Sequence, residues 1–121
     1  MSKILVLEDD AALRGLLHEA LEEAGHDVAD AADGDAGIRA FKKSPADLVI
    51  TDIFMPEKDG LDVIRELKAG FPEVKSIAIS GGGRPDKGTY LMAASGMGAD
   101  HVLGKPFEMQ DLVDAVREVL G

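Results

Sequence analysis

Residues 3–10 read Lys3-Ile4-Leu5-Val6-Leu7-Glu8-Asp9-Asp10. A strand wetted on one side alternates apolar and polar residues, whereas Ile4 to Leu7 is unbroken. The run therefore predicts a short strand covered on both faces. Leu13, Leu16, Leu17, Ala20, Leu21 and Ala24 come next, spaced three and four apart, which is one apolar face of a helix. Gly25 follows, where a left-handed helix stop is expected.

The same strand-then-helix pattern recurs down the chain. Residues 27–31 read as a weak strand, and 36–43 as a helix opened by Asp33-Gly34-Asp35. Residues 47–51 form a strand centred on Leu48-Val49-Ile50. Leu61, Ile64 and Leu67 mark a helix that stops at Gly70, with Pro72 beyond it. Residues 75–79 are a strand and 86–97 a helix, with Gly81-Gly82-Gly83 between them. Val102-Leu103 is a short strand. Met109, Leu112, Val113, Val116, Val119 and Leu120 mark the closing helix. Five strand–helix units predict an α/β fold, a five-stranded parallel sheet with five helices over its two faces. Right-handed crossovers leave few topologies at this size, and the flavodoxin-like order 2-1-3-4-5 is expected.

A length of 121 residues predicts one domain over 1–121, large enough for a core without staples. There is no cysteine, which excludes disulfides, thiolate zinc sites and thiol nucleophiles. The apolar runs are too short for a membrane span and no signal-peptide pattern opens the chain, so the cytoplasm is the expected compartment. With 23 acids against 13 bases the net charge is −10, which argues against binding a nucleic-acid backbone. What matters is whether the acids are spread out or gathered.

In the predicted sheet, ligands sit beyond the carboxyl ends of the strands, at the switch point between the first and third. Those ends carry Glu8-Asp9-Asp10, Thr51-Asp52, Ser80-Gly81-Gly82-Gly83 and Lys105-Pro106-Phe107. Asp10 reads as the cap of the first helix. Glu8, Asp9 and Asp52 would crowd together, and crowded carboxylates need a cation or a proton. Hard oxygen ligands of this kind suit Mg²⁺. Asp52 is either a metal ligand or a nucleophile able to attack phosphorus. Lys105 and the Ser80 hydroxyl would face the oxygens of a transferring phosphoryl group. The three glycines lack the Walker spacing and read as a pliable connection rather than a phosphate cradle. A cis Lys105–Pro106 bond would aim the lysine. His18, His26 and His101 have no metal-ligand spacing and read as structural or surface residues, and Met92 and Met97 as core filler.

Glu8-Asp9, Asp52-Ile53-Phe54-Met55-Pro56 with Asp59-Gly60, Ser80 and Lys105-Pro106-Phe107 together resemble the receiver domain of bacterial two-component response regulators, including the chemotaxis regulators. The resemblance covers the whole chain. It implies that Asp52 accepts a phosphoryl group from a sensor histidine kinase or a histidine phosphotransfer protein. It implies Mg²⁺ held by Asp9, Asp52 and the backbone carbonyl of Phe54, with Glu8 acting mainly through water. Lys105 would pair with the phosphoryl group and Ser80 would hydrogen-bond it. The added charge is the signal. A downstream protein would read it on the face formed by the fourth helix (86–97), the fifth strand and the fifth, closing helix. Such a domain assists its own phosphorylation and dephosphorylation but is not a turnover enzyme.

Two departures stand out. Val102 occupies the place of an aromatic residue that commonly rotates on activation. The stretch after Ser80 is long and glycine-rich, so the segment 81–87 is expected to carry the switch instead. Phe54, two residues past the acceptor, is placed to hinder attacking water. The competing readings are a small Mg²⁺-dependent phosphatase and an unphosphorylated pseudo-receiver. The haloacid-dehalogenase pattern wants an aspartate where Phe54 stands.

Overall fold

A computed structural model describes residues 2–55, 58–80 and 98–121. In chain order the elements are β1 (Lys3–Leu7), α1 (Ala11–Glu23), β2 (Asp27–Ala31), α2 (Gly34–Lys43), β3 (Leu48–Asp52), α3 (Gly60–Gly70), β4 (Lys75–Ser80), β5 (His101–Gly104) and α4 (Met109–Leu120). The sheet order is β2-β1-β3-β4-β5, and every neighbouring pair is parallel. This is the expected topology. The described residues hold four helices rather than the expected five. The helix expected over 86–97, Met92, Met97 and the segment 81–87 lie outside the described residues.

The strands sort their side chains by the period of two. Ile4, Val6, Leu48, Ile50, Ile77 and Ile79 point to one face, where Leu17 and Leu21 of α1 and Leu112 and Val116 of α4 cover them. Leu5, Leu7 and Val49 point to the other, under Ile38 and Phe41 of α2 and Val63 and Leu67 of α3. Burial on both faces is why β1, β3 and β4 read as continuous apolar runs. β2 is an edge strand with only Val28 buried, which accounts for its weak pattern.

Helix ends follow local chemistry. The Asp10 carboxylate accepts from the amides of Ala12 and Leu13 and so caps α1. Gly25 has φ 98°. The Gly25 amide donates to the Glu22 carbonyl and the His26 amide to the Leu21 carbonyl, a Schellman stop. Asp33 and Asp59 cap α2 and α3. The expected strand limits move by a residue or two. β3 runs to Asp52, β4 to Ser80 and β5 from His101 to Gly104, because ladder pairing extends past the apolar centres.

Gly60 decides how α3 meets the sheet. A Cβ there would lie 2.3 Å from the Asp52 carbonyl oxygen, and the Gly60 amide donates to the Ile53 carbonyl at 2.8 Å. Only a residue without a side chain lets α3 begin against the end of β3. Gly15, inside α1, faces open space. Gly60→Ala is therefore expected to destabilise the protein by about 1–3 kcal/mol, and Gly15→Ala to stabilise it by about 0.5–1 kcal/mol. Denaturant midpoints at a constant m-value check both.

Candidate functional site

Register brings the acids together. β1 and β3 pair in parallel with Leu7 opposite Thr51, so one step further Glu8 comes level with Asp52. Glu8 shares the parity of Ile4 and Val6, and Asp52 that of Leu48 and Ile50. Both carboxylates therefore turn to the α1/α4 side of the sheet. Both are buried, Glu8 at 1% exposure and Asp52 at 4%. Asp9, the next residue, is exposed, and carboxylate oxygens of Glu8, Asp9 and Asp52 lie within 4.8 Å of one another.

Lys105 reaches this cluster from the far side of β4. β5 pairs Gly104 with Ser80, the Lys105 amide donates to the Ser80 carbonyl at 2.8 Å, and the Lys105–Pro106 bond is cis. The lysine Nζ then lies 2.9 Å from Asp52 Oδ2 and 3.4 Å from Glu8 Oε1. Two backbone amides complete the anchoring. Phe54 N–H donates to Asp52 Oδ1 at 2.9 Å, and Asp10 N–H to Glu8 Oε2 at 3.1 Å.

The electrostatics follow from this crowding. Burial pushes the Glu8 carboxyl up to about 7. The neighbouring Asp52 pushes the same way, while the Asp10 amide and Lys105 oppose the shift. Burial pulls Lys105 down, but its hydrogen bond to Asp52 and the charges of Asp52 and Glu8 outweigh that and hold it above the usual lysine range. Lys105 is set against three carboxylates, so the cluster keeps a net negative charge at neutral pH, and an oxygen-loving divalent cation fits it.

Ser80 ends β4, fully buried, and its hydroxyl has no hydrogen-bond partner among the described residues. A buried hydroxyl without a partner costs roughly 1–3 kcal/mol. The Phe54 ring is half-buried against Ile53, Ile64 and Ala78, and Val102 packs on the same cluster. His18 bonds Asp30 at 2.6 Å and faces Glu22 at 3.2 Å, a structural role. None of the three histidines joins the acidic group.

Structure thus gathers Glu8, Asp9, Asp52 and Lys105; Phe54 joins them through its amide, and Ser80 ends the strand next to β3. It also adds Arg14, whose Nη1 donates to the Glu8 carbonyl at 2.8 Å. In the sequence Arg14 is only another charged residue off the apolar face of α1, and no motif singles it out.

Comparison with known proteins points to one family. Residues 4–117 match the response regulator receiver domain. The transcriptional regulatory protein RprY of Bacteroides fragilis is 33% identical over 118 residues, covering 98% of this chain and 49% of that protein. The chain thus spans about half the length of that relative. The response regulator receiver protein CpdR of Brucella abortus is 33% identical over 127 residues, covering 99% of this chain and 98% of that protein. Among solved structures, a response regulator receiver domain protein from Clostridium thermocellum superposes with a TM-score of 0.91 at 32% identity, covering 99% of this chain and 94% of that one. No helix among the described residues is long and apolar enough to cross a membrane. With an acidic cluster at the β1/β3 switch point and a matching family over nearly its full length, the chain belongs to the response regulator receiver domains.

Proposed function

We propose that this domain is a phosphorylation switch whose acceptor is Asp52, charged by a phosphohistidine on a sensor kinase or phosphotransfer protein. The observation that carries the reading is the meeting of Asp52 Oδ2 with Lys105 at 2.9 Å inside an acidic cluster. The Phe54 amide holds Oδ1, and Oδ2, which faces Lys105, is the oxygen that attacks phosphorus. The new bond is Oδ2–P and the broken bond is P–N of the donor imidazole, whose nitrogen then takes a proton from water. Lys105 stands where the phosphoryl oxygens arrive and offsets their charge. The Ser80 hydroxyl, lacking a partner among the described residues, gains an acceptor in them. Asp9, Asp52, the Phe54 carbonyl and, through water, Glu8 would hold Mg²⁺, which supplies charge neutralisation at the transferring group.

Beside Lys105 the surface is apolar. Leu13, Pro106, Phe107 and Met109 line a groove there, and Leu16 on α1 is 55% exposed. A donor protein would cover this area on delivering its phosphoryl group. A downstream partner would read the result on the face that includes β5 and α4. The domain turns over no substrate, and release of the phosphoryl group to water resets it.

Incubation with Mg²⁺ and acetyl phosphate, followed by intact mass, tests the reading. One phosphoryl group is expected on the unaltered chain and none on Asp52→Ala. Catalytic phosphate release from many substrates would instead make the protein a phosphatase. No uptake and no Mg²⁺ binding would make it a pseudo-receiver.

Phe54→Asn removes an apolar ring two residues from the acceptor and is expected to shorten the acyl-phosphate lifetime. An unchanged decay of the labelled protein removes Phe54 from the account.

Glu8 couples proton to cation. Its carboxyl titrates from 4.5 in the unfolded chain to about 7 in the fold, so the native state binds the extra proton across that window. Its contribution to metal-free stability is therefore present below pH 4.5 and is lost as pH rises through about 7. Glu8→Gln is expected to be more stable than the unaltered chain at pH 8 without Mg²⁺, with the gap closing at pH 5. Paired chemical denaturation curves at the two pH values measure it.

A further inference from the structure

Glu8 and Asp9 are adjacent in sequence but do different things: one is buried and anchored, the other exposed. The peptide that joins them decides whether both carboxylates face one point. On its N-terminal side Glu8 is secured by the sheet, since its amide donates to the Ala31 carbonyl at 3.1 Å. On its C-terminal side β1 has ended, and the Glu8 carbonyl has no strand to pair with. Arg14 fills that role. From the second turn of α1 it reaches back six residues, and its Nη1 donates to the Glu8 carbonyl at 2.8 Å.

Arg14 is itself braced. Its Nε lies 3.6 Å from Asp30 Oδ1, on β2. The other Asp30 oxygen is bonded by His18 Nδ1 at 2.6 Å, and His18 Nε2 faces Glu22 Oε2 at 3.2 Å. One side chain therefore ties the end of β1, the body of α1 and the neighbouring strand. A guanidinium suits this, because its fork offers donors in two directions at once and a lysine ammonium does not hold that geometry.

We propose that Arg14, braced by Asp30, is a positioning residue for the cation site: it fixes the peptide between Glu8 and Asp9 and so the spacing of their carboxylates. It touches neither the acceptor nor the phosphoryl group. The proposal rests on reading the cluster as a cation site. The alternative is that Arg14 acts only as a nearby positive charge, and the two predict opposite signs. A nearby positive charge repels Mg²⁺, so removing it tightens binding. A lost brace loosens binding, as loss of an outer partner does at metal sites.

The test is Mg²⁺ titration by calorimetry at one pH and ionic strength, on the unaltered chain, Arg14→Met, Arg14→Lys and Asp30→Asn, with thermal unfolding of each alongside. The expected result is a Kd raised roughly tenfold by Arg14→Met, the low end for losing such a partner. Smaller rises are expected for Arg14→Lys, which keeps the charge and loses the fork, and for Asp30→Asn, which keeps the bond to Glu8 and loses the brace. Unchanged or tighter binding by Arg14→Met in a chain that still unfolds cooperatively overturns the role of Arg14 alone. No Mg²⁺ binding by the unaltered chain overturns the site reading and this proposal with it.

Discussion

Glu8 and Asp52 lie side by side at the ends of β1 and β3, both buried, with the Lys105 ammonium against each. Two like charges about 4 Å apart repel by roughly 4 kcal/mol at the effective dielectric of a protein near its surface. The fold accepts that repulsion because the surrounding groups are arranged to meet it. Lys105 crosses the end of β4 to reach both acids, the amides of Asp10 and Phe54 each take one carboxylate oxygen, and Glu8 holds a proton more readily than an ordinary glutamate. Each of these offsets is partial. The charge balance at this point therefore rests on the few groups packed around the two acids.

That tension reaches the rest of the domain through backbone. α3 starts against the Asp52 carbonyl because Gly60 carries no side chain. β5 delivers Lys105 because its last residue pairs with Ser80. Arg14 carries the end of β1 into α1 and toward β2. The doubly covered sheet is filled on both faces by Ile, Leu and Val. The carboxyl-end turns are where charge is placed, as open α/β sheets require of their ligand sites. Val102, where the family commonly has an aromatic ring, lies in the small cluster of Ile53, Ile64 and Ala78 beside Phe54. The ring rotation of the family has no counterpart at that position.

Much of this was legible in the sequence, for identifiable reasons. The strands buried on both faces show as unbroken apolar runs, and the helices show as three-and-four spacing. β2 is the hardest strand to read because an edge position buries little of it. Its two ends are still marked, by the left-handed Gly25 before it and by the Asp33 cap after it. The acids and Lys105 were legible because topology sends the ends of strands 1, 3, 4 and 5 to one edge. Strand limits at Asp52, Ser80 and Gly104 were not, since polar residues there join the ladder for reasons of pairing rather than apolarity.

The order of elements, the switch point and the chemical types gathered there were determined by the sequence alone, because periodicity and end residues are local properties of the chain. Tertiary structure decided what depends on register across strands. It set Glu8 level with Asp52 and let a lysine 53 residues away bond the Asp52 carboxylate. It raised the Glu8 pKa through burial, and it set Arg14 against a carbonyl that no motif connects with it. Distances, desolvation and the partner of a backbone carbonyl arise only when segments far apart in sequence share one small volume.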